Sequence, residues 1–367
     1  MFLTGASVIL LAAAAATTLF ASSAQAAACE TPSIRREWRT FSTEEKTAWI
    51  AAVNCLSNLP HDDALTPSVD PSISNIVPVN TSGSYYDDFV YMHMDLNTRI
   101  HFTGLFYPFH RWYVAVYEQS LKSKCGYTGV SPYWNWSADS ADVYDSSMFQ
   151  DSDPVSGLGG WGDSSKDFEV QDGAFSSFKL SYPAYHTLRR NFTLQPLVGD
   201  VGSAFISDPY ADANASFTPA EVSKMVNGFV GDYEGMQAYM EGFMGAHGMV
   251  HFILGGDLAG YCPADAVNCT DGSPTFSANE PMFWMHHAMV DKVWYDWQNA
   301  NVSANFWQYF GGSVQAIDTI EDYTANPTGA APYLSINSTI PADGLFDEVT
   351  IFDVMNTTGG YLCYVYE

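Results

Sequence analysis

The chain has 367 residues, with 14 Lys and Arg against 41 Asp and Glu and a formal charge of −27 at pH 7. A surface of that sign repels nucleic acid and anionic membranes, which excludes polyanion binding as a role. Aromatic and charged residues at 15% each describe a core-forming globular chain, not a disordered one.

Residues 1–26 contain no Asp, Glu, Lys or Arg, and an apolar run from Val8 to Phe20 leads into Ala24-Gln25-Ala26. This reads as a secretory signal peptide cut after Ala26; the run is too short to span a bilayer. Residues 27–367 then form one domain, with no repeat, heptad run or linker to divide them. Ser42 or Thr43, with Glu44 and Glu45 behind it, caps a helix inside 35–59. Residues 61–85, rich in Pro, Ser and Asn, read as loop, and 89–124 as two helical stretches joined around Gly104–Pro108. A long Gly- and Asp-rich irregular region covers 137–175. Thr218-Pro219-Ala220-Glu221 opens a helical region reaching Leu254, and Pro281 opens the last strong helix, ending near Ala300. The tail from Ser313 holds short β-like runs and ends in Leu362-Cys363-Tyr364-Val365-Tyr366.

Six cysteines fit three disulfides in an oxidising compartment. Cys262 and Cys269 close a short loop and are read as one pair. For the other four, Cys55–Cys125 with Cys29–Cys363 is preferred by elimination, other pairings staying open. Sequons at Asn80, Asn135, Asn191, Asn214, Asn268, Asn301, Asn337 and Asn356 are possible glycan sites, with Asn135 placed in buried structure.

The chain has nine histidines, and six of them fall into two sets. His93, His101 and His110 form the first. His247 and His251, four apart and so on one helix face, form the second with His287. Two neighbouring three-imidazole sites without a thiolate suit copper ions that bind O2 rather than ones that only pass electrons. The zinc-protease version of H-x-x-x-H needs Glu after the first His, and that position here is Gly248. His286 competes with His287 for the third place, since adjacent helical side chains cannot both face one metal. Asp291, four residues past His287, is expected to accept the other ring N–H of a ligand histidine. Arg111 and Glu118 are expected around the site as bundle-locking partners, and His61 and His186 are read as structural. The four histidine-bearing helices form a bundle around the metal site, giving a mainly α fold with long irregular loops and a few short β-strands.

His101, Phe106, Phe109, His110, Arg111 and Glu118 resemble the copper-A motif of tyrosinases, catechol oxidases and hemocyanins. Glu280-Pro281, Phe283, His286-His287 and Asp291 resemble their copper-B motif. Pro132–Trp136, Gly255-Gly256 and Tyr364-Val365-Tyr366 also match, so the resemblance spans about 35–366 and is greatest to short secreted fungal polyphenol oxidases. It selects His287 over His286. The departures are Glu280 for the usual Asp, Tyr107 for an aliphatic residue, Asn135 for Asp, and no Cys near His93 or His101 to form the thioether many members carry. The chain ends soon after Tyr-x-Tyr, so no C-terminal lid domain is expected.

The resemblance implies two copper ions held by six neutral imidazoles, with O2 as co-substrate and a small phenol or catechol as substrate. The expected activity is oxidation of o-diphenols to o-quinones with reduction of O2 to water. In the family, monophenol hydroxylation goes with a water-holding Glu and with Asn or Asp just after the first copper-B histidine. Glu241 is the candidate for the first, and Gly248 stands at the second and holds no water, so weak or substrate-dependent monophenol activity is expected. The alternatives are a full tyrosinase, an oxidase of o-aminophenols or a secondary-metabolite phenol, and a hemocyanin-like oxygen carrier. Phe106, Phe109, Phe252, Phe283 and Trp284 are candidates to line the site.

Overall fold

The computed structural model describes residues 29–68, 78–267, 269 and 274–367. The expected signal peptide and the Asn268 sequon lie outside the described residues. Among the described residues, no helix is long and apolar enough to cross a membrane.

Helix α1 (Thr43–Leu56) begins at a capping box in which the Ser42 side chain accepts the Glu45 N–H and the Glu45 carboxylate accepts the Ser42 N–H. Helix α2 (Tyr85–Asp95) begins at a second one, made by Ser84 and Asp87, four residues before the helical stretch expected from Phe89. All eleven residues of α2 are buried, so its sequence carries no polar stripe to announce it. Helix α3 (Phe106–Cys125) ends in a left-handed Gly126 whose N–H bonds the Leu121 and Lys122 carbonyls. Pro108 lies in the first turn of α3, not in the joint before it, because no intrahelical N–H bond is needed there.

The 218–254 region, read as one helical stretch, is three helices: α4 (Pro219–Asn227), α5 (Tyr233–Glu241) and α6 (Ala246–Leu254). Gly228 and the Gly242–Gly245 segment break it. Thr218 caps α4 with Pro219 at its start, as the start signal predicts. Helix α7 (Met282–Ala300) packs along α3, where the Tyr117 ring stacks on Trp284 at 3.6 Å and 3°. The molecule is mainly helical, with strands two to four residues long.

Strands β1 (Ser33–Arg35) and β3 (Tyr364–Tyr366) pair in parallel and bring the two ends of the described residues together, while β2 (Gly312–Val314) pairs with Ala330–Tyr333. All six cysteines are paired, as Cys29–Cys363, Cys55–Cys125 and Cys262–Cys269. The preferred pairing therefore holds, and no thiol remains for a link to a copper-A histidine.

Two buried ion networks fix the helices. Glu280 pairs bidentately with Arg190 at 2.8 and 2.9 Å, and Arg190 also holds the Leu158 and Gly159 carbonyls. The motif's Glu280 thus pins the irregular 137–175 region against the start of α7. At the other network, Asp291 on α7 accepts from Arg111 Nε at 2.5 Å, Tyr364 at 2.5 Å, Tyr366 at 2.7 Å and Arg35 at 3.4 Å. Glu118 accepts from Arg35 at 2.9 Å and from Lys122 at 2.6 Å. Arg111 thus ties α3 to α7 through Asp291, and Glu118 pairs with Arg35 and with Lys122 on its own helix.

Candidate metal centre

Four helices and one turn converge on a single point. His93 comes from α2, His101 from the turn before α3, His110 from the second turn of α3, His247 and His251 from α6, and His286 and His287 from α7. None of the seven is more than 6% exposed. In His93, His101 and His110, one ring nitrogen from each lies within 4.8 Å of the others; His247, His251, His286 and His287 meet the same limit.

The first triplet has ring centroids 5.0, 5.5 and 5.0 Å apart. In the second, His247 lies 4.7 Å from His251 and 5.1 Å from His287. The groups adjoin: the His110 ring stacks on His287 at 4.3 Å and 13°. His286 joins the second group alongside His287, against the expectation that only one of the two would face it. Neighbouring side chains diverge by about 100° around a helix, so the two rings flank the cluster from different sides. His287 faces His93 and His110 as well as the α6 pair, whereas the His286 ring packs against His247, His251 and His287.

Burial, followed by the neighbouring imidazoles, holds His101, His247 and His287 well below the ordinary imidazole range. Burial alone lowers His251 to about 4. The rings are therefore neutral, which is the form that binds a metal. Backbone carbonyls orient two of them. His110 Nδ1 lies 2.7 Å from the Phe106 carbonyl, and His251 Nδ1 lies 2.8 Å from that of Leu258. His101 Nδ1 sits 3.0 Å from the Asn97 side-chain amide and 3.3 Å from its carbonyl. A ring that donates Nδ1–H to a carbonyl presents its Nε2 lone pair to the cluster.

Asp291, expected in that orienting role, is taken up by Arg111, Arg35, Tyr364 and Tyr366 instead. Helical spacing gives the face a side chain occupies, not which partner on that face it meets. The Leu258 carbonyl reaches His251 because Gly255 and Gly256 turn back at φ 59° and 48°. A Cβ on either would meet the Asn191 or Arg189 carbonyl oxygen, at 2.0 and 2.3 Å.

Of the aromatic candidates, Phe106 packs 4.9 Å from His247, Phe283 packs 4.1 Å from His287, and Phe109 packs 5.3 Å from His110. Trp284 instead stacks on Tyr117 in the core. His61 is held by Asp88 at 2.6 Å, and His186 by Asp257 at 3.1 Å, so both are structural. Glu241, the candidate water holder, is 3% exposed and already accepts the Phe102 N–H at 2.5 Å and the Gln237 amide at 3.0 Å. Burial pushes its carboxyl up to about 8, against those two bonds.

The site fits a metal pair by its own chemistry. Buried polar atoms are nearly always satisfied, yet His247 Nε2, His251 Nε2 and both ring nitrogens of His286 and of His287 have no hydrogen-bond partner in the protein. All are imidazole nitrogens at mutual distances a small cation can bridge.

A profile of the common central domain of tyrosinase matches residues 83–300, more than half of the chain and all seven clustered histidines. The fold and the site define a helical copper-type oxidoreductase, and the chain belongs to the tyrosinase family. It is 29% identical over 354 residues to tyrosinase-like protein phomQ1 of Diaporthe leptostromiformis, covering 92% of this chain and 78% of that protein. It is 28% identical over 377 residues to N-acetyl-6-hydroxytryptophan oxidase ivoB of Emericella nidulans, covering 94% of each. A mutant polyphenol oxidase from Thermothelomyces thermophila superposes with a TM-score of 0.67 at 23% identity, over 92% of this chain and 89% of that one. That last likeness is one of fold.

Proposed function

We propose that the chain is a two-copper oxidase that converts o-diphenols to o-quinones and reduces O2 to water. His93, His101 and His110 hold copper A, and His247, His251 and His287 hold copper B. The observation that carries this reading is the convergence of two buried imidazole triplets, the ring nitrogens of each within 4.8 Å of one another, with His247 Nε2, His251 Nε2 and both His287 nitrogens left without a hydrogen-bond partner. When bound, the copper pair supplies O2 activation and the two-electron oxidation of the catechol.

The chain's own part is geometric. The Phe106 and Leu258 carbonyls fix the ring orientation of one histidine in each triplet. Phe106 and Phe283 wall the cluster with apolar rings and keep water from it. Gly248, next to His247, offers no side chain to hold a water beside an incoming phenol, which disfavours monophenol hydroxylation. A second reading, oxidation of a bulkier hydroxylated aromatic of secondary metabolism, draws on the relative named for N-acetyl-6-hydroxytryptophan. Export fits the three disulfides and the expected 1–26 leader.

Copper titration tests the assignment. The wild-type chain is expected to retain two copper ions. His110→Ala and His251→Ala are each expected to retain one, with no turnover of catechol. Retention of two ions by either variant contradicts the ligand sets.

A further inference from the structure

The turn His101–Gly104, which delivers one histidine to the cluster, is held from several sides. Phe102 sits at φ 52°, a left-handed conformation that is uncommon for any residue with a Cβ and rare for a bulky ring. Its N–H donates to Glu241 Oε1 at 2.5 Å. Gln237, one turn earlier on α5, donates to Glu241 Oε2 at 3.0 Å and to the Thr103 carbonyl at 2.7 Å. Gln315 donates to the His101 carbonyl at 3.1 Å. The Gly104 N–H bonds the Gly312 carbonyl of β2 at 2.9 Å, and the Tyr309 hydroxyl bonds the Gly104 carbonyl at 3.1 Å.

Only one of these partners is a carboxyl group, and it grips the one strained residue with one oxygen while Gln237 holds the other. Such strain persists only where the surroundings over-determine it, and it gathers at functional sites.

We propose that Glu241 is a positioning residue: it holds Phe102 in the left-handed conformation and so fixes the backbone from which His101 reaches copper A. The inference rests on the assignment of His101 to that ion. It gives Glu241 a purpose different from the water-holding one expected from sequence, since both of its oxygens are engaged by the clamp.

The test is copper retention by the loaded protein against a graded chelator, with the EPR signal of any lone Cu(II) left behind. Glu241→Gln keeps the size but turns one acceptor into a donor, which must then face the Phe102 N–H or the Gln237 amide. This variant is expected to lose one copper about 10- to 100-fold more readily than wild type, in the range found when groups supporting metal ligands are removed. An isolated Cu(II) signal should then appear.

Adding Phe102→Gly, which adopts φ 52° without strain, is expected to restore retention. Adding Phe102→Ala, which removes the same ring but keeps the strain, is not. Wild-type retention in Glu241→Gln overturns the proposal, and so does equal behaviour of the Gly and Ala pairs. If Glu241→Gln fails to fold, the Gly pair must fold where the Ala pair does not, and failure of both overturns it too. A wild-type chain that binds no copper pair is a separate result, which removes the His101 assignment itself.

Discussion

On the proposed reading, Gly248 is the residue on which the balance between two phenol chemistries turns. It follows His247 on α6, and a Cβ built there meets only Phe252 at 3.8 Å and the Phe243 carbonyl at 4.0 Å, both ordinary contacts. The position has room for a side chain and carries none. Gly248→Asn is therefore expected to fold normally and to raise monophenol turnover relative to diphenol turnover, because an amide there can hold a water beside the incoming phenol. An unchanged ratio, measured by quinone formation from a matched phenol and catechol, removes Gly248 from the account of selectivity. The clustering of six of the histidines was legible from spacing, and the clamp residues were not. Gln237, Gln315 and Glu241 lie 134 to 214 residues from their partners in the His101–Thr103 turn, and no local pattern links them.

Helices announce themselves where a cap and an amphipathic stripe coincide. Ser42 with Glu45 and Thr218 with Pro219 did so, and both starts were placed correctly. Helix α2 is buried on every side, and the Ser- and Asn-rich stretch before it masks its capping box, so its first turn read as loop. The pairing of β1 with β3 was likewise not read, because the two strands are separated by nearly the whole sequence. Its contact with Asp291 is where the fold is most exposed to one substitution. Asp291 accepts from two arginines, each no more than 1% exposed, and from two tyrosines. Arg111 also lies 3.6 Å over the Trp294 ring, so it cannot swing out to water. Asp291→Asn leaves the Arg111 charge without its ionic partner and is expected to cost about 3–5 kcal/mol in urea unfolding. A loss under about 1 kcal/mol, the scale of an exposed pair, contradicts the lock.

At the scale of the molecule, acidic composition, three disulfides and a buried copper-type centre point to one arrangement. The ends of the described residues are tied by Cys29–Cys363 and by β1–β3, and Arg35, Tyr364 and Tyr366 of that strand pair bond Asp291 on the helix that carries His287. The bundle, the histidine sets and the family were readable from sequence because metal ligation demands fixed residue types at fixed spacings. The orienting carbonyls were not, because every residue has one and only the folded turn selects Leu258. The measurement that bears most directly on the account is oxygen uptake by the copper-loaded chain, with a catechol and with its matching monophenol. Rapid uptake with the catechol and little with the monophenol is the predicted result. Equal uptake with both makes the chain a full tyrosinase and removes the Gly248 argument, and reversible O2 binding without uptake on either substrate contradicts the oxidase reading itself.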